Sequence, residues 1–223
     1  MITMTDSLKP KTRVSEFLPY VVPFFVFAGF TYLVPVFNLS KALVYPAKTL
    51  SVMALLFFYW PRFKHEIKVT LDLNAVMAGI AVCIIWIGFE NFYPKIGPES
   101  GFNPYELAQG PQVYLLMASR LFGAVLIVPV MEELFWRSFA LRFLIDTNFT
   151  RYSLGTFTWF SYIFVSLAFG MEHQRWLPGI FAGLIYALLL YQKKNLFSPI
   201  LAHAVTNFFL GIYVIVNNEW GFW

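Results

Sequence analysis

The chain has 223 residues, of which 59% are hydrophobic and only 13% charged, and its mean hydropathy is +0.64. That balance excludes an ordinary soluble domain and points to a protein of the bilayer. The net charge of +4 comes from scattered cations rather than a basic stripe, so nothing in it suggests a nucleic-acid partner.

The apolar runs are read in chain order. Residues 17–40 form the first; it is too long for a signal-peptide core, lacks a small-residue cleavage pattern and contains Pro19, Pro23 and Pro35, so a retained helix is expected. A second span near residues 42–60 carries Lys48, and a third over 73–89 contains Cys83, the single cysteine, which one residue alone cannot turn into a disulfide or a tetrahedral metal site. The stretch 93–112, rich in Pro and Gly, reads as an outer loop with a short helical turn. A fourth span begins near Val113, contains Arg120 and includes the segment VMEELFWRSF. Runs over 152–171, 176–192 and 195–218 complete the set. Each is close to the length needed to cross a hydrocarbon layer as a helix. The expectation is an all-α, polytopic transmembrane helix bundle of about seven spans, within a range of six to eight. No repeat or long linker divides it; the chain is split loosely into N-terminal helices with an outer loop, 1–110, and a C-terminal four-helix core, 111–223.

Cations set the orientation. With a cytoplasmic N-terminus, eleven fall on inner segments (Lys9, Lys11, Arg13, Arg62, Lys64, Lys68, Arg137, Arg142, Arg151, Lys193, Lys194) against four on the outer side or outer helix ends (Lys41, Lys48, Lys95, Arg175). This predicts a multi-pass integral membrane protein with its N-terminus inside.

An ionisable side chain at bilayer depth costs several kcal/mol unless it is paired or faces a cavity. Three clusters therefore need explaining: Glu132, Glu133 and Arg137; Phe169 with His173; and His203 with Asn207. Glu133 and Arg137 are four apart with the acid first, so they can pair along one helix face. Glu132 is turned about 100° away and is free to face something else. A purely structural ion pair near the inner helix end, with Arg137 reaching the interface, explains Glu133 and Arg137 but not a second acid beside them. His203 and Asn207 project from one face of the last span; such a pair can act as interhelical glue. Two of the three histidines lie in apolar surroundings on segments that follow the paired glutamates, and only His65 sits in a basic loop. A carboxylate and two imidazoles meeting in one cavity could activate a water and stabilise an oxyanion, as peptide hydrolysis requires.

With those residues in view, the chain resembles the CAAX-protease and bacteriocin-processing family of intramembrane glutamic endopeptidases, also called the ABI family. Its pattern of Glu-Glu-x-x-x-Arg, Phe-x-x-x-His and His-x-x-x-Asn on successive membrane segments is matched by EELFWR at 132–137, FGMEH at 169–173 and HAVTN at 203–207. The resemblance covers roughly residues 111–217. It implies that Glu132 is the general base, that His173 positions or polarises the water, and that His203 and Asn207 stabilise the oxyanion. It further implies that Glu133 and Arg137 hold their helix in register and that Phe169 packs beside the site. The partners implied are a peptide or protein substrate, membrane-associated or lipidated, and the bilayer itself; no cofactor is expected. Zinc held by Glu132, His173 and His203 is the alternative chemistry. A non-catalytic scaffold, an immunity factor or a proton-linked transporter using the same groups as a relay is the alternative function. The letters speak against other intramembrane proteases: there is no His-Glu-x-x-His, no pair of membrane aspartates and no serine in a Gly-x-Ser loop. One difficulty remains at this level. The counted spans put Glu132 near the inner end of the fourth and His173 near the outer end of the fifth, unless the fourth helix runs long, from about Val113 to Leu144, or the chain after Gly170 folds back.

Overall fold

The structure, a computed structural model, describes residues 14–37, 39–97 and 101–223. Lys9, Lys11 and Arg13, counted among the inner cations, lie outside the described residues. Every regular element among those described is helical: α1 (Val14–Phe37), α2 (Lys41–Phe63, prolonged by a 3₁₀ turn to Glu66), α3 (Leu73–Gly88), the short α4 (Pro104–Leu107), α5 (Pro111–Phe143), α6 (Trp159–Met171), α7 (Trp176–Lys193) and α8 (Phe197–Asn217). Lys41–Glu66, Pro111–Phe143 and Phe197–Asn217 are long and apolar enough to cross a membrane, whereas α3 and α6 are apolar but shorter. The protein is an all-α membrane helix bundle.

The sixth helix differs from the expected span. Residues 152–158 are irregular and α6 starts only at Trp159, where the Thr158 side chain accepts the Ser161 N–H as an N-cap. Its 13 residues rise about 20 Å, short of the roughly 30 Å of a hydrocarbon core. His173 therefore ends up inside the bundle rather than at its far surface. Glu132 is eleven residues before the end of α5, or about 16 Å, and Arg137, five residues below it, lies against Phe169, one turn before His173. The long α5 and the short α6 together remove the separation that the hydropathy pattern implied.

Helix α5 is continuous over its 33 residues but contains two π-helical stretches, Gly123–Ile127 and Leu134–Ala140. In the first, the N–H of Val128 reaches back five residues to the carbonyl of Gly123. The next donor in that pattern would come from Pro129, which has no N–H, so the carbonyl of Ala124 must find a partner elsewhere. The second stretch follows Glu132 and Glu133 immediately and re-aims the side chains below them, as π-bulges commonly do beside functional groups.

Small residues let the helices behind the site approach closely. A Cβ added to Gly183 of α7 would lie 2.9 Å from the Cα of Ser166 on α6, and one on Gly179 would lie 2.9 Å from the Cα of Gly170. Only glycine permits that crossing. Helix α8 is tied to α3 by Thr206, whose hydroxyl donates to the carbonyl of Gly79 (2.8 Å) while accepting from the Tyr186 hydroxyl of α7 (2.7 Å).

Polar fastenings close both ends. At one end Asp72 caps α3 through the Ala75 N–H, accepts the Ser198 hydroxyl (2.6 Å) and pairs with Lys193 (3.2 Å). There too Arg142, counted from the sequence among the inner cations, is buried: it donates to Glu66 (2.8 Å) and to the Ser138 hydroxyl (2.6 Å), and Ser138 also donates to Glu66. At the other end Arg175 grips both carboxylate oxygens of Glu90 at 2.7 Å, donates to the carbonyl of Gly221 (2.9 Å) and lies over the Phe222 ring.

Candidate active site

Helices α5, α6, α7 and α8 place their polar side chains around one point, and the two adjacent glutamates divide their tasks. Glu133 is fully buried, with a guanidinium nitrogen facing one oxygen and an imidazole nitrogen facing the other. One oxygen pairs with the Arg137 Nε at 3.0 Å, and the other accepts from the His203 Nδ1 at 2.9 Å. The guanidinium of Arg137 is itself 0% exposed, so it does not reach the interface. It is sandwiched against Phe169 (4.1 Å to the ring centre) and near Tyr186 (5.4 Å), where aromatic faces replace part of the hydration that it lost.

Glu132 is also buried, at 6% exposure, but it is not consumed. Its Oε2 has no hydrogen-bond partner in the protein and lies 4.0 Å from the Nε2 of His203. That gap is too long for a direct hydrogen bond and about right for one water touching both atoms. The His203 ring is fixed by Glu133 at Nδ1 and by near-parallel stacking on Tyr186, 5.2 Å between centroids at 22°.

His173 follows the last turn of α6. Its Nδ1 is 2.8 Å from the carbonyl of Phe169; a carbonyl only accepts, so Nδ1 carries the proton and Nε2 of the neutral ring is left as an acceptor. The ring is held edge-on to Trp86 (5.4 Å) and packs on Phe169 (5.0 Å), which also touches the His203 ring (6.2 Å). Phe169 is thus the common wall for Arg137, His173 and His203. No ion-pair contact joins His173 to Glu132 among the described residues. Asn207 donates its amide Nδ2 to the carbonyl of Ala124 at 2.8 Å, the same carbonyl that Pro129 leaves without a helical donor. One of its two amide protons is spent there and the other remains.

The structure adds three residues that the sequence motifs did not single out. Tyr186 stacks on His203 and neighbours Arg137, but one tyrosine among many on an apolar helix carries no signal. Trp136, four residues after Glu132, donates its indole N–H to Glu172 (3.1 Å) and stands edge-on to Phe169. Glu172 is half of the pair Glu172–His173, and an acid beside a singled-out histidine was the available clue. Among the described residues, no group of three His, Cys, Asp or Glu side chains is drawn together tightly enough to hold a metal ion.

Residues 114–209 match the family described as type II CAAX prenyl endopeptidase Rce1-like. Over this segment the chain is similar to that family. No curated protein and no solved structure is matched. The match begins in α5 and ends two residues beyond Asn207, so it takes in Glu132, Glu133, Arg137, Phe169, His173, His203 and Asn207 and leaves out α1 to α4. That description names an endopeptidase, so the likeness suggests a protease.

Proposed function

We propose that this chain is an intramembrane endopeptidase in which Glu132 activates the attacking water. The observation that carries the reading is the division between the glutamates: Glu133 sets one oxygen 3.0 Å from Arg137 Nε and the other 2.9 Å from His203 Nδ1, whereas Glu132 Oε2 has no hydrogen-bond partner and stands 4.0 Å from His203 Nε2.

In the reaction, the Glu132 carboxylate takes a proton from water as the water oxygen bonds to the scissile carbonyl carbon. The carbonyl oxygen becomes an oxyanion and receives hydrogen bonds from His203 Nε2–H and from the second amide proton of Asn207. His173, its Nε2 an acceptor, takes the other water O–H and so orients the nucleophile. Glu132 then passes its proton to the leaving nitrogen as the C–N bond breaks, and a carboxylic acid and an amine are released with Glu132 ionised again. Glu133 and Arg137 are positioning residues: they fix His203 and the helix that carries Glu132. The substrate class is a peptide near a C-terminal tail or leader, membrane-associated or lipidated, cleaved within a bacterial inner membrane with the N-terminus of this chain on the cytoplasmic side.

The test is substrate capture and processing. Cells expressing Glu132→Gln should accumulate an uncleaved peptide that co-purifies with the variant, at normal abundance of folded protein, and wild type should release it. Processing undiminished in Glu132→Gln would overturn the reading in favour of a non-catalytic membrane protein, and activity abolished by a chelator and restored by zinc would overturn the metal-free mechanism.

A further inference from the structure

Away from the candidate active site, the two cations inside α2 and α5 meet without an acid. Lys48 is only 8% exposed. Its Nζ donates to the Thr31 hydroxyl of α1 (3.1 Å) and sits over the rings of Phe27 (4.0 Å) and Tyr45 (5.0 Å). The guanidinium of Arg120 lies against the same Tyr45 ring (4.3 Å) and near Phe102 (5.5 Å), and its Nε is buried with no acceptor. The hydroxyl oxygen of Thr49, next to Lys48, is likewise buried and without a partner. The charged neighbour that acts on Lys48 is Arg120, a second cation, and no carboxylate is within ion-pair distance of either among the described residues.

Every other buried cation described above is answered by a carboxylate: Arg137 by Glu133, Arg142 by Glu66, Arg175 by Glu90. Aromatic faces compensate only part of the desolvation of an ion. Lys48 still has two ammonium protons to give, and Arg120 has its fork. The position also selects the missing anion. The helix Lys41–Glu66 has 26 residues, about 39 Å, against a hydrocarbon core of roughly 30 Å, so its first turn stands in the headgroup layer. Lys48 is about 10 Å below that start. Side chains lean toward the N-terminus of their helix, so both cations reach toward the membrane side on which α2 and α5 begin. Leu43, Tyr114 and Leu115, exposed near those starts, offer apolar surface to acyl chains.

We propose that Lys48, Arg120 and the Thr49 hydroxyl form a binding site for a phosphate-ester anion, supplied by the headgroup of an anionic phospholipid between α1, α2 and α5. The site is twelve residues from Glu132 along α5, about 18 Å, and does not depend on the proposed reaction.

The experiment is native mass spectrometry of detergent-purified, delipidated protein titrated with palmitoyl-oleoyl phosphatidylglycerol or phosphatidylcholine, with thermal melting in inorganic phosphate as a separate arm. Wild type should retain one phosphatidylglycerol in preference to phosphatidylcholine, and Lys48→Met/Arg120→Met should lose on the order of tenfold in that retention. Lys48→Arg, which keeps the cation, should retain it. Saturable stabilisation by inorganic phosphate, absent in the double variant, would assign the same site to a free phosphate. The proposal is overturned if wild type binds neither, or if the double variant binds as wild type does. Should the apolar variants fail to fold, indifference of wild type to the lipid charge and to phosphate overturns it alone.

Discussion

Neutralising the two adjacent glutamates one at a time should give opposite results. Glu133→Gln keeps the shape but removes the carboxylate that, among the described residues, pairs with Arg137, a guanidinium 0% exposed. An uncompensated buried charge of this kind costs about 3–5 kcal/mol. For a chain of this size about 1 kcal/mol shifts Tm by roughly 2–4 °C, so the melting temperature should fall by roughly 6–20 °C. Glu132→Gln removes a carboxylate whose Oε2 has no hydrogen-bond partner and stands 4.0 Å from the His203 Nε2. Its Tm should stay within about 4 °C of wild type or rise, because a buried charge with no direct partner is itself a cost. Both variants are melted in the same detergent, with loss of the monodisperse size-exclusion peak as the readout. If Glu132→Gln melts as low as Glu133→Gln, or Glu133→Gln is unshifted, the division of tasks between the two acids is wrong.

Asn207→Leu leaves the Ala124 carbonyl without its donor and should cost about 1–3 kcal/mol, read as a lower Tm together with slower substrate processing; an unchanged Tm would remove the structural half of its role. The Glu90 clasp predicts a pH effect at the loop that follows α3. Partial burial pushes the Glu90 carboxyl up, but hydrogen bonds and charge from Arg175 and Lys95 bring it below its ordinary value of 4.5. A lowered folded value means that the stabilisation is fully present above about pH 4.5 and is lost as the pH falls through the lower folded value. Wild type should therefore lose Tm more steeply than Glu90→Gln below pH 4.5, and parallel slopes would show that the clasp contributes nothing.

The sequence alone determined that the chain is a helical membrane protein, because 59% hydrophobic content in long uncharged runs leaves no other way to satisfy a backbone in lipid. It also picked out Glu132, Glu133, Arg137, His173, His203 and Asn207, since each ionisable or amide group in such a run must be accounted for. The i,i+4 spacing foretold the pairing of Glu133 with Arg137, because both residues sit on one helix. What it could not supply were relations between helices. That Glu133 rather than Glu132 would hold His203 depends on how α8 docks on α5, and the level of His173 depends on α6 being only 13 residues long. The partner of Asn207 was hidden as well, because it exists only where Pro129 strips a carbonyl of its donor and α8 happens to pass. Hydropathy averages over windows of residues and is blind to such meetings; they are settled by close packing through Gly170, Gly179 and Gly183, and packing is a property of the folded bundle.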